Sequence, residues 1–246
     1  MEIIETDIVQ QTEGLAGPVG SQAQAVQDIV GEAVNQKSEQ ENFSDSRFSI
    51  FGCGFRRANG KVVMRQQSQQ TWDIGESYRW ITSPLAASEA TIGYRAMLPT
   101  ATREEKSNFK LLHFQYATFA GTFAYRNAQS LIRRSPYMVL DIDDLASLDE
   151  ARELRDRLAR DEEVETALCF VSPSGQGVKW VFEPPAWTMN LAYKEQFARM
   201  RDHLCFNYGY DADPSGSDVC RACFLPYDPE CFLNPKFTFN NNNNYE

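Results

Sequence analysis

Residues 137–145 read YMVLDIDDL, an apolar run that ends in three acids, Asp141, Asp143 and Asp144. Unpaired acids are rare at the end of a buried strand. Two carboxylates at i and i+2 leave a strand on the same face, and their oxygens can bind one or two hard divalent cations. Such a pair suits phosphate chemistry, because a metal can bridge carboxylate and phosphate oxygens. Downstream, SPSGQG (172–177) carries the hydroxyls of Ser172 and Ser174 and the glycines Gly175 and Gly177. Glycines let backbone N–H groups approach phosphate closely. Lys179 adds a positive charge, and Arg221 offers a two-pronged phosphate contact. Each feature has a plainer reading alone: a cap cluster or solvated edge for Asp141 and Asp143, a hairpin turn for SPSGQG, surface charges for Lys179 and Arg221.

Convergence of these residues depends on the elements that carry them. MVLDID (138–143) reads as a strand. The next segment, SLDEARELRDRLAR, reads as a helix, with Ser147 and Glu150 as a capping box and Ala151, Leu154 and Leu158 on one face. VETALCFVS (164–172) and VKWVF (178–182) read as strands around the SPSGQG turn. A second helix carries the stripe Tyr193, Phe197, Met200 and Leu204 and stops at Gly209. VCRACFL (219–225) reads as the last strand. The order βαββαβ is a ferredoxin-like, or RRM-like, unit within an α+β class. Right-handed crossovers place 138–143 between 178–182 and 219–225, with both helices on one face. Alternation then sends Met138, Leu140 and Ile142 to the helices, and Asp141, Asp143, Lys179 and Arg221 to the open face.

Upstream, Ala58-Asn59-Gly60 between apolar runs predicts a hairpin with a type I′ turn. Thr102 and Glu105 predict a capping box that opens a helix, and residues 118–125 read as an aromatic-rich turn and strand. The expected organisation is a disordered, acidic, Gln-rich segment over 1–46, a folded domain over 47–237 and an Asn-rich tail over 238–246. The domain divides into an αβ part (47–136) and the core (137–237). Within 1–46, AQAVQDIVGEAV has apolar residues at helical spacing. The Asn tract points to a chain that is one part of a longer architecture.

The formal net charge of the 246 residues is -10, which argues against a strongly basic nucleic-acid binder. Residues 1–46 hold nine acids and one base, so the remaining body is close to neutral and can still hold a basic groove. The acidic N-terminus lacks the basic start of a secretory signal, and no apolar stretch is long enough to cross a membrane. The expected setting is cytoplasmic, with six reduced cysteines. Cys220-x-x-Cys223, with Cys231 nearby, invites a zinc reading. Opposite parity on a strand argues against it.

MVLDIDDL, FVSPSGQGVKWVF and YDADPSGSDVCRACFLPYDP, in this order, resemble the N-terminal domain of VirE-like proteins from Bacteroides-type mobile elements and phages. KLLHFQYATFAGTF matches the expected run into the first acidic strand. That domain is similar to the catalytic core of archaeo-eukaryotic primases and primase-polymerases. The resemblance implies a primase core with an N-terminal αβ extension. It implies Asp141, Asp143 and Asp213 as catalytic ligands of Mg2+ or Mn2+, with Asp211 as the rival third ligand. It places Ser172, Ser174, Gly175, Gly177 and Lys179 at the triphosphate of an incoming nucleotide, and Arg221 at phosphate or template. Lys179 stands where active primases usually have histidine; a lysine holds phosphate as a point charge but lacks the neutral imidazole's donor and acceptor. The implied activity is primer synthesis from nucleoside triphosphates on a single-stranded DNA or RNA template, with a replicative helicase as a partner and no membrane. The alternative is an inactive module that binds single-stranded nucleic acid or a helicase.

Overall fold

The computed structural model describes residues 46–238. The expected acidic segment with its AQAVQDIVGEAV stretch, and nearly all of the Asn-rich tail, lie outside the described residues. The described chain is α+β. Phe48–Phe51 (β1), Phe55–Arg56 (β2), Val62–Val63 (β3) and Gln70–Trp72 (β4) precede three helices, Ile74–Thr82 (α1), Ser88–Met97 (α2) and Arg103–His113 (α3). Tyr116–Thr118 (β5), Gly121–Phe123 (β6) and Leu131–Arg134 (β7) lead to Met138–Ile142 (β8) and Leu148–Leu158 (α4). Glu165–Val171 (β9), Val178–Glu183 (β10), Tyr193–Tyr208 (α5), Cys223–Phe224 (β11) and Phe232–Leu233 (β12) complete it. No helix among the described residues is long and apolar enough to cross a membrane.

Two four-stranded antiparallel sheets carry the fold, ordered β11-β5-β1-β4 and β12-β9-β10-β8. Strand alternation decides what each face of the second sheet meets. Met138, Leu140, Ile142 and Trp180 pack with Leu154 and Leu158 of α4 and Phe197, Met200 and Leu204 of α5. Val139, Val181, Leu168 and Phe170 pack with Phe48, Ile50, Ile81 and Phe119 of the N-terminal part. The face expected to be open is therefore largely covered. Only its end beyond Val139, where Asp141 and Asp143 stand, faces a cleft.

Three of the four core strands take their expected order, β9-β10-β8. The fourth does not. Residues 219–225 form no strand beside β8; only Cys223–Phe224 is extended, and it pairs with β5 in the other sheet. Local turns are the cause. Gly216 N–H donates to the Asp213 carbonyl, Asp218 N–H to Ser215 and Arg221 N–H to Asp218, so these donors are unavailable to a ladder. Cys220 and Phe224 pack around Phe51 and Tyr116, and Cys223 and Leu225 around Phe48 and Ile50, rather than onto α4 and α5.

Two smaller expectations change in detail. The hairpin joining β2 and β3 exists, but only Gly60 takes a positive φ (82°), and Arg57 N–H reaches the Lys61 carbonyl at 2.9 Å. This is a three-residue loop with glycine in the left-handed position, not a type I′ turn. At α4, Ser147 Oγ accepts the Glu150 N–H at 3.1 Å, while Glu150 Oε2 reaches past the cap to the Ala146 N–H at 2.6 Å. Glu150 Oε1 accepts Tyr210 O–H at 2.9 Å, which explains the altered reach.

Asp161 anchors the C-terminal half of α5. Its carboxylate meets His203 Nε2 and the Tyr208 O–H, both at 2.7 Å, and its Oδ1 accepts the backbone N–H of Glu163 and Val164. Burial pushes the carboxyl up, but these hydrogen bonds outweigh it and hold the pKa below the ordinary value. A depressed folded-state pKa adds stability above the unfolded value, and this is lost as pH falls through the folded one. Asp161→Asn should cost about 1–3 kcal/mol at neutral pH. In denaturant titrations the deficit should shrink as pH drops below about 4. A deficit independent of pH would contradict this.

Candidate metal centre

Asp141 stands on β8 directly opposite Lys179 on β10. Paired residues in a ladder share a face, so the side chains meet. Lys179 is 7% exposed; its ammonium is ion-paired with Asp141 Oδ1 and lies 4.0 Å from Asp143 Oδ1. Burial lowers its pKa, the nearby cations Lys110 and Arg221 lower it further, and Asp213 opposes the shift. Asp143 follows the end of β8 on the same face, with its side chain half-exposed. Burial raises its pKa; Lys110 opposes this, and Asp213 and Asp144 reinforce it. Asp144 turns the chain with a positive φ of 60°, and Leu145 N–H then donates to the Gln176 carbonyl at 3.0 Å. Asp144 is thus a turn residue, as expected of a loop acid.

Asp213 arrives from a different direction. Its N–H donates to the Asp141 carbonyl at 2.8 Å, so the segment after α5 lies along the free edge of β8. Its side chain caps the short 3-10 helix Pro214–Ser217 by accepting Ser215 N–H at 2.9 Å. Arg221 Nη2 donates to its other oxygen at 2.6 Å. Burial pushes the Asp213 carboxyl up, but the Ser215 hydrogen bonds, Arg221 and Lys179 bring it below the usual range. The rival Asp211 is exposed and held by Arg201 of α5 at 2.9 and 2.6 Å.

One carboxylate oxygen from each of Asp141, Asp143 and Asp213 lies within 4.8 Å of the others. Three hard oxygen donors at this spacing, with Asp143 open to solvent, could hold a divalent metal ion. Cys220 and Cys223 do not belong to this group. Cys220 Sγ instead faces the Asp218 carboxylate at 3.2 Å.

The SPSGQG turn forms the next wall. Ser172 is buried, its N–H donates to the Gly177 carbonyl at 2.8 Å, and its hydroxyl meets that of Ser174 at 2.9 Å. Gly175 takes a positive φ of 79°. Arg95 of α2 braces the turn by donating to the carbonyls of Pro173 and Ser172 at 3.2 and 3.4 Å. A Cβ on Gly177 would lie 2.5 Å from the Ile142 carbonyl oxygen and 3.1 Å from Asp143 Oδ1.

Asp141, Asp143 and residues 172–174 of the turn open on a cleft of about 310 Å³, whose lining also includes Tyr94, Ser107, Lys110 and Arg126. Sequence reading singled out none of these four. They come from α2, α3 and the loop after β6, and no local pattern marks them. A wider hollow of about 670 Å³ over α5, lined by Trp187, Phe206 and His203, holds none of the predicted site residues.

A family model covers the three aspartates, the SPSGQG turn, Lys179 and Arg221, but not Arg95. It is described as BT4734-like, N-terminal domain, and it matches residues 110–233. The chain belongs to this family. The BT4734-like match runs from Lys110 of α3 through β12, so it includes the last turn of α3, β5 and β6 as well as the acidic strand. Comparison with curated proteins and with solved structures gives no match.

Gly177→Ala tests how the turn supports the carboxylates. The added methyl must push the end of β8 away from the turn. Mn2+ affinity, read by electron paramagnetic resonance, should fall by about tenfold or more with the circular dichroism unchanged. Undiminished affinity would show that Asp143 does not depend on this close approach.

Proposed function

We propose that the folded region is a primase-polymerase-like nucleotidyltransferase domain that serves the replication of a phage or mobile element in the cytoplasm. The observation that carries this reading is the meeting of Asp141, Asp143 and Asp213 within 4.8 Å, beside a cleft that Asp141 and Asp143 line together with Ser172, Ser174 and Lys179. The finer assignment to an RRM-like core of the archaeo-eukaryotic primase type rests on the three motifs and on the β9-β10-β8 order, with the β8 edge closed by the Asp213 segment instead of a fourth strand. Nucleoside triphosphates and a single-stranded DNA or RNA template are the proposed substrates, and a replicative helicase the proposed partner.

A divalent cation bound by the three aspartates would polarise the α-phosphate and favour the ionised form of a primer hydroxyl. The chain's own residues do the rest. Ser172 and Ser174, with the backbone around Gly175 and Gly177, orient the phosphates. Lys179 neutralises and orients Asp141, and Arg221 does the same for Asp213. In the proposed transfer, the hydroxyl oxygen bonds to the α-phosphorus and diphosphate leaves.

One observation favours the second reading, a non-catalytic binder of single-stranded nucleic acid or of a helicase. Lys179 and Arg221 are both engaged by the aspartates, and Lys179 replaces the motif histidine. Primer synthesis and extension with Mn2+ and nucleoside triphosphates separate the two. Wild type should extend a primer, and the double variant Asp141→Ala/Asp143→Ala should lose about a thousandfold or more of that rate. Equal inactivity of both proteins, with nucleic-acid binding retained, would sink the enzyme and leave the binder.

A further inference from the structure

Four cationic side chains line the cleft, and they are not equivalent. Lys179 is bound to Asp141 and Arg221 to Asp213. The two cations that sequence alone marks for phosphate are thus committed to the carboxylates. Lys110 and Arg126 differ. Among the described residues neither forms an ion pair with a carboxylate, although each lines the same cleft. Lys110 sits in the last turn of α3, half-buried, with its ammonium 5.8 Å from the centre of the Phe224 ring. Arg126 is half-buried in the loop after β6, and its Nε, like that of Arg221, has no hydrogen-bond partner; unlike Arg221 it has no carboxylate on its other nitrogens among the described residues. Asp143 acts on Lys110 through space without pairing with it, and holding two cations partly out of water with no directly paired carboxylate is costly unless an anion completes the site.

We propose that Lys110 and Arg126 are the phosphate-binding wall of this cleft and take the β- and γ-phosphates of a nucleoside triphosphate. The inference rests on the nucleotidyltransferase reading of the carboxylates. It assigns the anion to residues outside the three motifs. Asp141 and Asp143 line the cleft together with Lys110 and Arg126, so a metal-bound polyphosphate would meet the metal's carboxylates and two cations in one place. Ser107 on α3 and Ser174 on the turn add hydroxyl donors to the lining. The volume of about 310 Å³ lies at the lower end of the range for small-molecule clefts, which start near ~300 Å³. Lys179 and Arg221 remain positioning residues that hold Asp141 and Asp213.

Calorimetric titration of the full chain with inorganic tripolyphosphate in Mg2+ buffer tests this, with Mn2+ binding measured separately by electron paramagnetic resonance. Lys110→Met and Arg126→Met should each weaken tripolyphosphate binding by about tenfold or more. Lys110→Arg should restore most of the loss, and Mn2+ affinity should stay within about twofold in every variant, which also reports intact folding. Under primer extension, the Met variants should raise KM for the nucleotide more than they lower kcat. Unchanged tripolyphosphate binding in both Met variants would overturn the wall while leaving the enzyme reading intact if extension persists. Binding of tripolyphosphate through these residues, without extension by wild type, would support the wall and remove the enzyme reading. Loss of oligothymidylate binding with no effect on tripolyphosphate would overturn the proposal in favour of a strand-backbone contact.

Discussion

The hydrogen bond from Asp213 N–H to the Asp141 carbonyl joins the two parts of the chain on which the site depends. It lies at the edge of β8, where an unpaired row of backbone groups would otherwise invite pairing. A fourth strand would satisfy that edge with a full ladder. Here a capped turn does it instead, and the same turn delivers a third carboxylate beside the first two. Gly216 makes the close packing feasible, since a Cβ there would meet the Phe197 ring at 2.6 Å. The segment that leaves this turn then crosses to β5, so the second sheet and the N-terminal part are tied together by the residues that complete the triad.

Bringing three carboxylates within 4.8 Å is electrostatically expensive. At an effective dielectric constant near 20, each pair at that distance repels by about 3–4 kcal/mol. Lys179 and Arg221 offset this by direct pairing with Asp141 and Asp213. Asp143, which Lys179 approaches only to 4.0 Å, keeps a pKa raised by burial and by its acidic neighbours. The compensation is built into the fold: Lys179 is fixed by ladder register opposite Asp141, and Arg221 by the turn that starts at Asp218. Charge balance at the carboxylates therefore sets which cations remain for an anion, and these come from α3 and the loop after β6.

Much of the core was legible because local rules and tertiary packing agree there. Met138, Leu140 and Ile142 alternate with Asp141 and Asp143, and the helix-facing stripe of α5 ends at Gly209 as a left-handed cap requires. Helix α3 opens on the Thr102 and Glu105 capping box. The misplaced last strand shows the limit. VCRACFL has apolar residues at both parities, so alternation could not choose a face, and the turns from Asp213 to Arg221 decided its partner. Arg221 reached the site by that turn and not by strand parity. Lys110 and Arg126 were silent in the sequence because the role proposed for them depends on which other cations are already neutralised, a property of three-dimensional charge pairing alone.

The central claim is that Asp141, Asp143 and Asp213 close together on one divalent centre. A crystal grown with Mn2+ tests it through the anomalous difference map. The expected result is a peak with an oxygen of each of the three aspartates at about 2.0–2.3 Å. A map with no peak at the triad, or with Mn2+ on other ligands while Lys179 and Arg221 stay locked to their carboxylates, would contradict it.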